Sequence, residues 1–282
     1  MLTTMDINIR DPFVLADNGL YYLYGTRGNE CWGRGTGLDC YASRDLVNFE
    51  EPVEVFTPPV DFWADKNFWA PEVHRVKDKY YMFVSFKADG VCRGTQILKA
   101  DSPLGPFVPH SDGPVTPRDW ECLDGTLYIE HGEDDQPYIV FCHEWVQITD
   151  GTVCALKLTG DLKKPIGEPA VLFHASEAPW IVDIRGGNYV TDGPFLYRSR
   201  SGKLKMIWSS FGDEGYTLAL ANSKTDTIHG PWVQEPTLLF SKDGGHGMVF
   251  ETFDGRLMVA LHSPNINGEE RPYFFDVTEK LG

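Results

Sequence analysis

The sequence predicts an all-β fold: a five-bladed β-propeller with four-stranded antiparallel blades around a central channel. Two observations support this prediction. A hairpin motif recurs five times along the 282 residues, and a second, shorter hairpin motif follows most of the copies. Two hairpins per repeat make four strands, and intervals of roughly 60 residues are typical of decorated propeller blades. We therefore expect residues 1–282 to form a single propeller domain.

The first hairpin is the stretch RDPFVLADNGLYYLYGT, residues 10–26. Two apolar, β-prone runs flank the pair Asn18-Gly19, and this pattern predicts a strand, a tight turn and a second strand. The same pattern recurs in WAPEVH…KYYMF, LDGTLY…PYIVF, DGPFLY…GKLKMIW and HGMVF…GRLMVAL. We take the heads of the five copies to be equivalent: positions 11, 70, 124, 192 and 246.

The outer hairpin motif combines a strand, a polar turn and an aromatic stop. It is clearest in YASRDLVNF, KADSPLGPF and ANSKTDTIHGPW. The last repeat offers only three clear strands. Because an open sheet edge is a liability, we expect residues 2–9 to lie near that blade and to help close the ring.

Composition excludes several classes of protein. With 42% hydrophobic and 13% aromatic residues the chain can bury a full core. A formal net charge of −16 argues against a nucleic-acid partner, which would need a basic surface. No window of about 18 apolar residues predicts a membrane span. The first ten residues lack the basic and apolar regions of a signal peptide, so we expect a cytoplasmic protein. The sequence does not predict an oligomeric state.

The heads of the repeats carry the candidate chemistry. In a propeller the first strand of every blade lines the channel and all first strands run the same way, so equivalent residues meet at one mouth. Asp11, the Trp69-Ala70 pair, Asp124, Asp192 and His246 would then face one another. Gathering three carboxylates away from water costs free energy, which favours a functional site over a purely structural one.

These motifs together resemble glycoside hydrolase family 43, the five-bladed propeller arabinofuranosidases and xylosidases. The resemblance rests on RDPF, FWAPEVH, LDGTLY, DGPFLY and GGHGM in order, and it spans about residues 8–265. It implies that Asp11 is a general base, that Asp124 modulates the pKa of the acid, and that Asp192 is the general acid. One departure stands out. Asp192-Gly-Pro replaces the family's Glu-Gly-Pro, which shortens the reach of the acid by about 1.5 Å.

A rival for the acid is Glu177, in the sequence Glu-Ala-Pro-Trp. It resembles the acid motif locally, but no blade hairpin follows it. In either case the expected mechanism is inversion. Ionised Asp11 would deprotonate an attacking water, while the protonated acid gives its proton to the departing oxygen.

Further residues are candidates for binding the sugar or a metal. Trp69 could stack on a sugar in the first subsite, and Trp32 lies in a glycine-rich loop that could overhang the pocket. Trp145 could form another wall, and His262 and Arg271 could reach sugar hydroxyls. The resemblance implies no required cofactor, but it allows a structural calcium at the hub, near His246 and completed by waters.

The sequence thus predicts a hydrolase of pentose linkages, α-L-arabinofuranosyl or β-xylosyl, acting on plant-type oligo- or polysaccharides. Two alternatives stay open. The missing Glu could mark a catalytically weak or inactive propeller that only binds carbohydrate. A structural propeller that binds proteins is the other alternative, and the ring of carboxylates argues against it.

Overall fold

Five antiparallel sheets are arranged as the blades of a β-propeller, which confirms the predicted fold. The computed structural model describes residues 1–132 and 134–282. Four of the sheets have four strands and the last has three, as the sequence of the final repeat indicates. Within each sheet the strands follow one another in chain order, and neighbouring strands are antiparallel.

The first three blades contain twelve strands. Blade one is built from β1 (Ile9–Asp17), β2 (Leu20–Arg27), β3 (Leu38–Ser43) and β4 (Val53–Phe56). Blade two is built from β5 (Lys66–Val76), β6 (Lys79–Ala88), β7 (Val91–Ala100) and β8 (Val108–Pro109). Blade three is built from β9 (Cys122–Glu130), β10 (Gln136–His143), β11 (Thr152–Leu158) and β12 (Pro165–His174).

The last two blades contain seven strands. Blade four is built from β13 (Asp192–Arg198), β14 (Leu204–Gly212), β15 (Gly215–Ser223) and β16 (Trp232–Gln234). Blade five is built from β17 (Gly245–Glu251), β18 (Leu257–Ser263) and β19 (Arg271–Asp276). Helix in the described part of the chain is confined to α1 (Trp145–Ile148), α2 (Thr278–Leu281) and two 3₁₀ turns, Gly28–Glu30 and Ala175–Glu177.

The first strands of the five blades surround a common axis. Each of β1, β5, β9, β13 and β17 packs against the first strand of the blade on either side, and β17 packs against β1 to close the ring. Large buried side chains fill the spaces between blades, including Tyr24, Phe86 and Trp208. The heads of the first strands therefore meet at one end of the channel, as the repeat pattern predicts.

Every first strand carries a bulge near its start, one to four residues after it begins to pair with the second strand. At each bulge one residue has a left-handed backbone: φ is 52° at Asp11, 48° at Ala70, 58° at Asp124, 49° at Gly193 and 49° at His246. In blade four the structure therefore corrects, by one residue, the predicted alignment of this repeat with the others. Gly193, not Asp192, is the structural equivalent of Asp11 and Asp124, because the bulge falls one position later there.

A ring of hydrogen bonds holds four of these strained positions in place. In these four blades the bulge amide donates a hydrogen bond to a side chain on the second strand of the preceding blade. The four acceptors are His262 for Asp11, Thr26 for Ala70, Ser85 for Asp124 and Ser209 for His246.

The fifth position of the ring departs from this pattern. Cys142 pairs with Leu123 in blade three as Thr26 pairs with Arg10 in blade one, and a thiol is a weak acceptor. The amide of Gly193 donates instead to Oδ2 of Asp124, at 2.9 Å. With a cysteine at this place, the first strand of blade four is held by a carboxylate of blade three instead of a side chain on the second strand.

Residues 2–9 reach the last blade, although they do not add a strand to it. Nδ2 of Asn8 donates to the carbonyl of Glu270, and Nε of Arg271 donates to the carbonyl of Met5. Leu2, in contrast, pairs with Phe49 of blade one. The segment therefore connects the first blade, through backbone hydrogen bonds, with the last blade, through hydrogen bonds of side chains.

Candidate active site

One cavity lies at the mouth of the channel where the strand heads meet. It has a volume of about 480 Å³, within the range of small-molecule sites. Seven of the residues that the sequence singles out line it: Asp11, Asp124, Asp192, His246, Trp69, Trp32 and Trp145. The structure therefore brings together most of the predicted site.

Asp11 is largely buried, and three neighbouring side chains hold its backbone amide and its carboxylate. Its amide donates to Nδ1 of His262 at 3.2 Å, and Oγ1 of Thr26 donates to its Oδ2 at 2.6 Å. Nδ1 of His246 lies 3.2 Å from its Oδ1. Burial acts to raise the pKa of Asp11, but His246 and the guanidinium of Arg10 outweigh it and hold the pKa below the ordinary value. Asp11 is thus kept ionised.

Asp124 faces Asp11 across His246. Nδ1 of His246 lies 3.6 Å from Oδ2 of Asp124, so one imidazole nitrogen faces both carboxylates. Burial and the charge of Asp11 raise the pKa of Asp124 well above its ordinary value, while the amide of Gly193 acts in the opposite direction. Two neighbouring carboxylates therefore have pKa values pushed apart, a pattern common to acid and base pairs in enzymes.

Asp192 stands on the wall of the cavity, at the position before the bulge. Burial and the charge of Asp124 raise its pKa to about 7. The hydroxyl of Tyr216 donates to its Oδ2 at 3.0 Å, and the Tyr216 ring stacks on His262 at 5.6 Å. This hydrogen bond fixes the orientation of the Asp192 carboxyl group, whose side chain is one methylene shorter than that of a glutamate. The sequence gives no sign of this tyrosine, since it lies in the middle of blade four with no motif around it.

A stacked arrangement of aromatic and basic side chains forms the blade-two side of the cavity. The guanidinium of Arg93 lies 4.4 Å from the ring centre of Trp69, and Nε1 of Trp69 donates to the carbonyl of Cys31 at 2.6 Å. The exposed Trp32 meets Trp69 edge to face at 5.3 Å and lies 5.7 Å from the guanidinium of Arg10. Trp69 is therefore rigidly oriented, while Trp32 forms an open rim.

Glu144 is a fourth carboxyl group in the cavity. It is buried, and Nη1 of Arg93 donates to its Oε2. Burial raises the pKa of Glu144 to about 7, although the charge of Arg93 opposes the shift. Arg93 has no motif in the sequence, and Glu144 stands out there only through its neighbour Trp145.

Three predicted residues lie away from the cavity wall. Glu177 is exposed on a 3₁₀ turn, where its Oε1 accepts the amide of His174 at 2.9 Å. His262 is fully buried beneath Asp11, so it positions that residue's backbone and does not face a sugar. Arg271 donates to the backbone carbonyls of Met5 and Glu270. The prediction of sugar contacts for His262 and Arg271 fails because both are tied to the protein.

The surroundings of His246 do not fit a calcium site. Calcium takes six to eight oxygen ligands, whereas Nδ1 of His246 is already directed at Asp11 and Asp124. Within residues 1–132 and 134–282, no group of three or more His, Cys, Asp or Glu side chains is arranged to hold a metal ion. The structure therefore does not confirm the predicted hub calcium.

Substituting Gly193 with Ala should disrupt the site. A Cβ there would lie 2.7 Å from Cδ2 of His246, and φ is already 49°. The His246 ring would have to leave Asp11, so we expect a loss of about 2 kcal/mol in the free energy of unfolding and a large loss of activity. Thermal unfolding and kcat measure both effects.

The matched control is Gly202→Ala. Gly202 also has a positive φ, 81°, but a Cβ there would meet open space. It should cost only about 1 kcal/mol of backbone strain. Equal losses in the two variants would show that contact with His246 is unimportant.

Substituting Tyr216 with Phe should shift the pH profile of activity. The Tyr216 hydroxyl stabilises the ionised form of Asp192, so its removal raises the pKa of Asp192 further. If Asp192 must be protonated, the fall in kcat/KM on the basic side should move to higher pH by up to about one unit. Tyr197→Phe is the control, because that hydroxyl is buried and has no hydrogen-bond partner among the residues that the structure describes. An unshifted pH profile in Tyr216→Phe would show that the group titrating in kcat/KM is not Asp192.

Comparisons with known proteins agree with the fold. A model of the family described as "Glycosyl hydrolases family 43" matches residues 4–275. A crystal structure described as an endo-arabinase from Bacteroides thetaiotaomicron VPI-5482 is 42% identical, with a TM-score of 0.90, covering 98% of this chain and 96% of that one.

Two curated relatives are more distant. The extracellular exo-α-(1→5)-L-arabinofuranosidase ArbA of Cellvibrio japonicus is 25% identical over 91% of this chain and 79% of its own length. The extracellular endo-α-(1→5)-L-arabinanase 1 of Bacillus subtilis is 22% identical over 57% of this chain and 52% of its own length.

The same relatives correct the expected location. Both are named as extracellular, which overturns the expectation of a cytoplasmic protein. That expectation rested on the composition of the first ten residues, which is a weak guide to compartment. The family model covers nearly the whole chain. The chain therefore belongs to glycosyl hydrolases family 43, enzymes that cleave O-glycosidic bonds.

Proposed function

We propose that this protein hydrolyses α-L-arabinofuranosyl linkages of plant-type oligo- or polysaccharides with inversion at the anomeric carbon. The observation that carries the proposal is the contrast between two carboxyl groups in one cavity: Asp11 with a lowered pKa and Asp192 with a pKa of about 7. The names of the relatives, an endo-arabinase and an arabinofuranosidase, favour arabinofuranosides over xylosides as the substrate.

Asp11 acts as the general base. Because it is ionised at neutral pH, it can accept a proton from a water held between it and the sugar. That water attacks the anomeric carbon from the side opposite the leaving oxygen. His246 and Thr26 orient the two carboxylate oxygens, and His262 holds the backbone. An inverting enzyme needs about 6.5 to 9.5 Å between its carboxyls to admit the water.

Asp192 acts as the general acid, and Asp124 keeps it protonated. Asp124 and Asp192 are close enough that the charge of one raises the pKa of the other. Burial and the charge of Asp11 raise the pKa of Asp124 as well, so the two carboxyl groups compete for one proton. The amide of Gly193 and the imidazole of His246 favour the ionised form of Asp124, and on that ground we propose that the proton resides on Asp192, from which the leaving oxygen takes it. We therefore expect kcat/KM to fall as the pH rises above about 7.

Asp192 is a better candidate for the acid than either glutamate. Glu177 is exposed and bound to the backbone of its own turn. Glu144 lies in the cavity, but its oxygen is held by the guanidinium of Arg93, a contact that favours the ionised form. A paired Glu144 and Arg93 are suited to binding sugar hydroxyls beside Trp69.

The alternative of a propeller that only binds carbohydrate is not favoured, because a binding site has no need of carboxyl groups with opposite pKa shifts. We propose that the carbohydrate is met outside the cell, as the names of the relatives indicate. We also propose that residues 1–282 act as one catalytic domain. For a membrane partner, the structure offers no helix among its described residues that is long and apolar enough to span a bilayer.

The test is hydrolysis of a small panel of substrates: 4-nitrophenyl α-L-arabinofuranoside, 4-nitrophenyl β-xyloside and linear α-1,5-arabino-oligosaccharides. We expect turnover of the two arabinofuranosides and a much lower rate on the xyloside. Binding of arabino-oligosaccharides without turnover of any of them would support the carbohydrate-binding alternative. A preference for the xyloside would contradict the proposed substrate.

A further inference from the structure

We propose that a second cavity, above the outer half of blade two, binds sugar residues of the same arabinan chain that extend beyond the catalytic cavity. This inference rests on the proposed function and adds to it a preference for oligomeric substrates. The second cavity has a volume of about 500 Å³, close to that of the catalytic cavity. It is therefore large enough for a small carbohydrate.

The two cavities adjoin at Arg93, which lines both. Arg93 stands near the start of β7, the third strand of blade two, whereas Trp69 stands on β5 at the channel. The side chain of Arg93 lies over Trp69 and contacts Glu144, while its chain neighbours Cys92 and Gly94 line the second cavity. A chain that leaves the catalytic cavity over Arg93 would enter the second cavity directly.

The walls of the second cavity have the chemistry of a sugar site. Phe62 and Trp63, both partly exposed, supply aromatic surface, and prolines including Pro114 supply apolar surface. Aromatic faces pack against the C–H faces of sugar rings, while planar polar groups bind the hydroxyls. Arg118 supplies such a group, since only one hydrogen bond from its guanidinium, from Nη2 to the carbonyl of Asp112, is formed in the described structure.

The cavity is preformed, because its walls are tied to the blade. Nε1 of Trp63 donates to Oε1 of Gln96 at 2.6 Å, which fixes the orientation of the indole. Nε2 of Gln96 in turn donates to the carbonyl of Ser111, and Oγ of Ser111 accepts the amide of Ile97. The opposite wall is thereby anchored to β7. A rigid site loses less entropy on binding than a flexible loop does.

The experiment compares substrates of different length. For the wild-type protein, kcat/KM should rise from 4-nitrophenyl α-L-arabinofuranoside to arabinohexaose. Trp63→Ala and Arg118→Ala should each reduce the ratio of kcat/KM on arabinohexaose to that on the nitrophenyl glycoside, by about tenfold for the tryptophan. Phe253→Ala is the matched control. Phe253 is an exposed aromatic residue beside Tyr21, beyond the end of β17 that lies far from His246, and its loss should leave the ratio as it is.

A second measurement guards against misfolding of the Trp63 variant. Cys92 lines the second cavity and is partly exposed, whereas the other five cysteines are buried. Attaching a bulky maleimide to Cys92 should reduce the same ratio, and Cys92→Ser treated with the reagent should not respond. A ratio that is insensitive to both Trp63→Ala and Cys92 labelling would overturn the inference.

A binding measurement distinguishes failure of this inference from failure of the proposed function. Binding of arabinohexaose to Asp11→Asn, measured by calorimetry, does not require turnover. Affinity that is lost in the Asp11→Asn, Trp63→Ala double variant would support the second cavity even if the wild-type protein hydrolysed no glycoside. Equal affinity of Asp11→Asn and the double variant for arabinohexaose would contradict the second cavity.

Discussion

Asp11→Asn should reduce kcat/KM on arabino-oligosaccharides by about 10³-fold or more. The variant keeps the shape of the side chain but cannot accept a proton from the attacking water, and general-base catalysis is worth roughly 10²- to 10⁴-fold. The loss should be similar for substrates with good and poor leaving groups, because the base acts on the water in both cases. Steady-state kinetics on the nitrophenyl glycoside and on arabinotriose measure this.

The fold should survive the change. Asp11 is a buried carboxylate, and the amide that replaces it can keep the hydrogen bond from Thr26. The control is Asp101→Asn, an exposed carboxylate paired with Lys79, which should keep full activity. Azide, a small anionic nucleophile, should restore part of the rate of Asp11→Asn by attacking the anomeric carbon itself. An Asp11→Asn variant that is nearly as active as wild type would show that the base lies elsewhere.

Asp192→Asn should separate substrates by their leaving group. A good leaving group such as 2,4-dinitrophenolate departs without a proton, so its kcat/KM should change little. An alkoxide leaving group of a natural sugar chain needs the proton, and its kcat/KM should fall by about 10²- to 10⁴-fold. The fall of kcat/KM on the basic side of the pH profile should also disappear, because the acid is gone and Glu144, the other cavity carboxyl with a pKa of about 7, is held by Arg93.

Two glutamate variants distinguish the acid. Glu177→Gln should match the wild type on both substrates, since Glu177 is exposed and outside the cavity wall. Glu144→Gln should weaken substrate binding through Arg93 without a dependence on the leaving group. If Glu144→Gln shows the leaving-group pattern and Asp192→Asn does not, Glu144 is the acid and the assignment of Asp192 is wrong.

The architecture could be predicted from the sequence because each blade repeats the same hairpins. The alignment of blade four with the other blades could not be predicted. The motif Asp192-Gly-Pro looks like Asp11-Pro and Asp124-Gly when only letters are aligned, but the bulge falls on Gly193. The reason is a close approach: His246 leaves room for no side chain at that position. Contacts of this kind join residues from different blades and leave no local pattern.

The same reason explains which site residues could not be predicted. Asp11 and Asp124 occupy repeat positions, so their meeting at the channel follows from symmetry. Arg93 and Tyr216 come from later strands of their blades and reach the cavity only through long side chains. For His262 the sequence predicts a sugar contact that the structure does not show. Its side chain is buried beneath Asp11, where it accepts the hydrogen bond of the Asp11 amide.

The configuration of the first sugar released tests the central claim, that Asp11 activates a water while Asp192 protonates the leaving oxygen. Hydrolysis of an α-linked arabino-oligosaccharide can be followed by proton NMR within the first minutes, before the anomers equilibrate. Attack of water opposite the leaving oxygen produces β-L-arabinofuranose first, with the α-anomer appearing later by mutarotation. Initial formation of the α-anomer would mean that a carboxylate attacks the sugar itself, and would contradict the roles assigned to both residues.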